Sequence, residues 1–348
     1  MSDQLDVGDS RADAARRSRL LTVKLRALMG DRGHDPEAFT FVDVATGTLA
    51  HDGAGRGWAL IDGDATGRLG GVLARAHKAG VATLDVVADD GGDVLARRVA
   101  ETSLDVTVHR SAGRDLVAVD AAPVVAPVDP EPAALDAAAP LTELGVDVVV
   151  EHGVVTGEIA GLEIARVVAD DAGGGYRLES GVGRYDREAS TMLDAVRDPG
   201  EALTSVVATV RLHRHGDARP HVLNRLARER WLRAAVLAEP GLVDAADLAP
   251  VEGSRARDNL IDPFPAAAMG VDGDGRGVVV VCSVGVDPEL VPEGADVRHR
   301  AETLGWVGPD ADLVLVVPPR DHYPLTDALA GALRRPARIV ELDGPWPS

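Results

Sequence analysis

The chain has one cysteine, Cys282, and two lysines, Lys24 and Lys78, in 348 residues. A single thiol excludes an intrachain disulfide. Its place at the end of the apolar run 278–281 predicts a buried structural thiol, because a reactive cysteine needs an accessible, electropositive setting. No uninterrupted apolar run approaches the roughly 18 residues of a membrane span, so a membrane partner is not expected. The N-terminal sequence carries charges where a signal peptide needs an apolar segment, which predicts a cytoplasmic protein. Common site motifs are also missing. There is no P-loop, the glycines of 53–57 precede a strand where a dinucleotide fingerprint would follow one, and Cys282-Ser283-Val284-Gly285 lacks the first glycine of a nucleophile elbow.

The scarcity of lysine is matched by an abundance of arginine, which supplies 34 of the 36 basic residues, while Asp outnumbers Glu by 39 to 17. Both a GC-rich genome and adaptation to high salt lower Lys and raise Asp. The many arginines favour the first cause. A net charge of −20 repels polyanions at long range and disfavours general binding of nucleic acid or an anionic membrane. A local basic helix is still possible, and the run Arg16, Arg17, Arg19, Lys24, Arg26 interleaved with leucines is one such helix.

Hydrophobic residues make up 45% of the chain, enough for a sizeable core and for roughly two to three domains. Residues 1–120 read as an α/β module with a disordered polar start. Within it, strands at Trp58–Ile61, Leu84–Ala88 and Asp105–His109 alternate with a helix through Leu69, Val72, Leu73 and Ala76 and a short helix capped by Asp93. That order is a βαβαβ unit with a parallel sheet. Residues 121–140 hold Pro123, Pro127, Pro130, Pro132 and Pro140, and predict a stiff, extended linker. Residues 141–265 form a central part with an antiparallel hairpin and two helices. Asp198-Pro199-Gly200-Glu201 starts the first helix as a capping box, and the second runs from near Asn224 to Pro240-Gly241. Residues 266–348 repeat the α/β pattern after a hairpin turn at Asp272-Gly273-Asp274-Gly275. The predicted fold class is α/β, or α+β: two βαβαβ-like modules flanking a central hairpin and two helices.

The hairpin at 157–188 carries Glu158, Glu163, Glu179, Asp186 and Glu188, and acidic residues are depleted in strand interiors. A turn centred near Ala172 places Arg166 opposite Glu179, an ordinary cross-strand ion pair. The others could converge on Mg²⁺ or Mn²⁺, with Glu158, Glu163, Glu179 and Asp186 as ligands and Glu163 and Glu179 in catalytic roles. The acid-x-Lys element of nuclease hairpins is missing, since Glu179 is followed by Ser180-Gly181. On the second helix Arg225 and Arg228 could hold phosphate. Glu229, four residues from both Arg225 and Arg233, instead predicts a self-neutralised exposed face. His213, His215 and His221 suggest zinc only weakly, without a cysteine to support them. Composition favours a non-catalytic scaffold or binding protein. The alternative is a divalent-metal phosphodiesterase resembling a nuclease in plan.

Overall fold

The computed structural model describes residues 3–45, 47–170, 173–183, 186–187, 198–257 and 259–346, with side chains from residue 13 onward. They divide into two compact units, Met1–Pro123 with Pro324–Pro336, and Val124–Tyr323 with Ala337–Ser348. The fold is α/β, with mixed sheets flanked by helices.

The first unit begins with helix α1 (Asp3–Asp31), which takes in most of the polar start read from sequence as disordered. A six-stranded sheet follows in the order β1 (Thr40–Val44), β2 (Gly47–His51), β3 (Arg56–Asp64), β4 (Thr83–Asp90), β5 (Asp105–Ala112) and β6 (Asp115–Ala118). Strands β3, β4 and β5 run parallel, joined by α2 (Leu69–Lys78) and α3 (Gly92–Val99), as their alternating periods predict. The antiparallel strands β1, β2 and β6 extend the predicted unit at both edges. Leu25, Leu28 and Met29 of α1 pack on Trp58, Leu60 and Val87. These three sheet residues share one face because side chains alternate along a strand. Asp93 does not cap α3. Gly91, at φ 69°, occupies that position, and Asp93 lies in the first turn and accepts from the N–H of Val94.

In the second unit the proline-rich stretch is extended only in its first half. Pro132 and Pro140 then open two short helices, α4 (Pro132–Asp136) and α5 (Ala139–Glu143), where a missing N–H costs nothing. Ala134, Ala138 and Leu141 join a core with Val155, Ile164, Leu203 and Val207. The central hairpin is one edge of a larger meander, in the order β10 (Tyr176–Ser180), β9 (Leu162–Ala169), β8 (Val154–Ile159) and β7 (Asp147–Glu151). Gly157 and Glu158 therefore belong to a separate strand, β8, and not to the long strand leading into the 170–175 turn.

Helix α6 (Pro199–His213) starts at the predicted N-cap, with Asp198 Oδ1 accepting from the N–H groups of Gly200 and Glu201. A short 3₁₀ turn (Val222–Arg225) precedes α7 (Arg228–Ala238), which thus begins four residues later than Asn224. The second sheet of this unit follows the order β11 (Ala245–Val251), β12 (Ala266–Asp272), β13 (Gly277–Cys282), β14 (Asp312–Val317) and β15 (Arg338–Glu341). Asp272 shapes the β12–β13 turn by accepting from the N–H groups of Asp274 and Arg276. Trp231, Leu232 and Val236 of α7 pack against Val278, Val280, Cys282 and Val314. Helix α8 (Leu290–Thr303) packs on β13 and β14, and α9 (Pro324–Gly331) belongs to the first unit beside α2.

Candidate functional site

Two tight turns in the meander set the positions of the acidic side chains. His152 and Gly153 join β7 to β8, and Ala160 and Gly161 join β8 to β9. All four have positive φ, between 44° and 74°, as two-residue hairpin loops of the primed type demand. The turns bring Glu151 to the end of β7 and set Glu158 opposite Glu163 across β8 and β9, beside a bulge. Two carboxylates in direct register repel. Different arginines hold each of them.

Glu158 is 3% exposed and receives Arg230 Nη1 and Arg233 Nη2, the latter at 3.4 Å. The same two arginines reach Glu151, with Arg230 Nη2 on Oε2 and Arg233 Nη1 on Oε1 at 2.6 Å. Two carboxylates and two guanidinium groups close a neutral quartet between the meander and α7. Burial outweighs the two arginines at Glu158 and leaves its pKa above the ordinary carboxylate value. At Glu151 burial acts in the same direction, but Arg233 and Arg230 overcome it and leave the pKa lowered.

Glu163 is 6% exposed and bound twice. Arg166 donates to it from Nε and Nη2, both at 3.0 Å, and Arg187 Nη1 lies 2.8 Å from Oε1. The ladder does place Arg166 opposite Glu179, as the turn predicts, yet the two do not pair. Glu179 takes Arg177 of its own strand at 2.5 Å. Asp186 is exposed and accepts from the N–H of Val182 at 2.8 Å. Glu163, Glu179 and Asp186 all act electrostatically on Arg187, whose pKa burial lowers. Glu163, one of the four predicted metal ligands, thus pairs with cations that are guanidinium groups. Among the described residues no group of three or more His, Cys, Asp or Glu side chains is placed to hold a metal ion. Glu188 lies outside the described residues.

The predicted phosphate-binding arginines stand apart from this cluster. Arg225 is exposed on the 3₁₀ turn, and Arg228 opens α7 with its guanidinium beside Gly285. The expectation of an exposed, self-neutralised face on α7 is overturned. Glu229 and Arg233 are 0% and 2% exposed, and Glu229 pairs with Arg257 at 3.2 Å instead of with its helix neighbours. Of the zinc candidates, His213 and His221 stack ring on ring with centroids 3.7 Å apart.

Arg214 is a further buried arginine, 3% exposed. It donates to the carbonyl oxygens of Ala160, Leu223, Leu226 and Ala227 at 2.7 to 3.1 Å, and stacks 4.4 Å over Trp231. Arg187, Arg214 and Arg257 carried no local signal in the sequence, since their partners lie in other elements. Arg230 and Arg233 carried one, a spacing of three on a helix whose other inward residues include the apolar Trp231, Leu232 and Val236.

No family model, no curated protein and no solved structure matches the chain. No helix among the described residues is long and apolar enough to cross a membrane.

Proposed function

We propose that this is a non-catalytic scaffold or binding protein. One observation carries the reading: the acidic residues of the meander are charge-compensated by arginines, with Glu151 and Glu158 on Arg230 and Arg233, and Glu163 between Arg166 and Arg187. A carboxylate that ligates a catalytic metal must offer its lone pairs to the ion. Those of Glu163 already accept from Arg166, and its charge is paired with Arg187. Buried ion pairs of this kind fix geometry more than they add stability, which suits a rigid platform.

The test is thermal unfolding of the wild type and of Glu163→Ala with Mg²⁺, Mn²⁺ and Zn²⁺ in turn, at fixed ionic strength, together with a hydrolysis assay on single- and double-stranded DNA. The expected result is no metal-specific rise in midpoint and no cleavage. A rise that vanishes in Glu163→Ala, with metal-dependent cleavage, would replace this reading by a phosphodiesterase, because a ligand of the native state alone must stabilise it.

A further inference from the structure

A small crevice in the second unit lies beside the quartet, lined by Glu151, Arg230 and Arg233 together with Arg255, Arg257 and Phe264. Glu151 is committed to Arg230 and Arg233. The two remaining arginines are less well served. Arg257 has a side chain only 7% exposed. Its Nε donates to the carbonyl of Asn259, and its Nη2 to Glu229 and to the carbonyl of Asp262. Its Nη1 is buried with no acceptor. Arg255 stacks 4.4 Å over the Phe264 ring, and the carboxylate its charge acts on is that of Asp287. A buried donor without an acceptor is destabilising, and more so when charged. Glu229 offsets Arg257 poorly, for burial pushes the Glu229 pKa up and the Arg257 pKa down.

We infer that this crevice is an anion site that takes a carboxylate, held between the free Nη1 of Arg257 and the guanidinium of Arg255. Arginine forks match a planar carboxylate in geometry and charge. The cost of dehydration selects among anions. The cavity is about 10 Å³, room for roughly one water-sized group, so one carboxylate oxygen enters while the rest stays at the mouth. A phosphate oxygen is as narrow, but hydrogenphosphate brings a second negative charge on a larger, more strongly hydrated head, which costs more to strip of water. Phe264, Pro265 and Val251 add an apolar wall that shields the pair from solvent.

The inference rests on the binding-protein reading and names the chemistry of what is bound. Its test is the unfolding midpoint of the full chain in sodium acetate, phosphate and chloride at matched ionic strength, for the wild type and for Arg255→Gln. That variant leaves the backbone contacts of Arg257 in place. At about ten times its dissociation constant, bound acetate should raise the wild-type midpoint by roughly 3 °C over chloride. The rise should be absent in Arg255→Gln and absent with phosphate. A tetraglutamate peptide tells the sources apart: a rise with acetate alone points to a small free acid, and a rise with the peptide alone points to an acidic polypeptide. No rise with either carboxylate, an equal rise with phosphate, or a rise undiminished in Arg255→Gln overturns the site. Metal-dependent cleavage of DNA would instead overturn the binding-protein reading and leave the acetate shift untouched.

Discussion

Arg233 of α7 meets Glu158 of β8 at 3.4 Å, with 2% and 3% of the two side chains exposed. Its other terminal nitrogen reaches Glu151 at 2.6 Å and the carbonyl of Ala267 at 3.2 Å. One guanidinium therefore ties together a hairpin of the meander, the helix that carries it and a strand of the second sheet. Such a group cannot be removed from one element without leaving charge buried in the others.

Glu158→Ala should destabilise the protein by about 3–5 kcal/mol, the usual consequence of stranding one partner of a buried pair. The double variant Glu158→Leu with Arg233→Leu leaves Glu151 with Arg230, one charge of each sign. It should recover most of the loss, because well-packed apolar side chains replace buried ion pairs at little cost. Urea unfolding of the two variants checks this. A double variant no more stable than the single one would show that the quartet contributes stability beyond charge balance.

The two primed turns should respond unequally to the same substitution. A β-carbon on Gly153 (φ 73°) would meet its nearest neighbour, the carbonyl oxygen of Val128, at 3.4 Å. On Gly161 (φ 74°) it would lie 2.2 Å from the backbone of Arg230. Gly153→Ala is expected to cost about 1–2 kcal/mol, the left-handed conformation alone. Gly161→Ala adds overpacking of about 1–3 kcal/mol, and it displaces the helix that carries the quartet. Denaturation midpoints of the two variants, measured side by side, decide the order.

Arg214→Lys should be nearly as damaging as Arg214→Ala. The guanidinium serves four carbonyl groups from three nitrogens and lies flat on Trp231. An ammonium is a compact point charge that cannot span them or stack in that way. With at least one or two buried carbonyls left unpaired, each at about 1–3 kcal/mol, a loss of roughly 2 kcal/mol or more is expected for the lysine variant. Retention of wild-type stability in Arg214→Lys would mean that charge alone matters there.

What the sequence disclosed depended on range. The capping box at Asp198 and the register that sets Arg166 against Glu179 are local, fixed by chain chemistry within a few residues, and both were legible. The partners were not. Long side chains choose among neighbours that the fold supplies, so Arg166 turns along its own strand to Glu163 and Glu179 turns to Arg177. Arg230 was visible as one of a basic row, but its partners lie 72 and 79 residues away. A periodic pattern can say that a residue faces inward; it cannot say that the interior there is charged. The same limit made the carboxylates of the hairpin look available to a metal, when Glu163 is held by Arg166 and Arg187 and Glu179 by Arg177.

Cys282 offers a test of the second core that does not depend on any ion pair. It is fully buried between Ala266 and Val316 in the sheet register, and burial pushes its thiol from an ordinary 9.0 up to about 12. Reaction with Ellman's reagent at mildly alkaline pH should therefore proceed only through unfolding, and its rate should follow added urea as unfolding does. The linkage has a definite sign. The unfolded chain releases the thiol proton near pH 9 while the folded chain keeps it to about 12, so rising pH favours the unfolded state across that window. Stability should fall between those values more steeply in the wild type than in Cys282→Ala, which has no thiol to ionise. Equal alkaline slopes in the two proteins, or rapid labelling of the native protein, would mean that this strand opens locally and that the core around Cys282 is less closed than its packing implies.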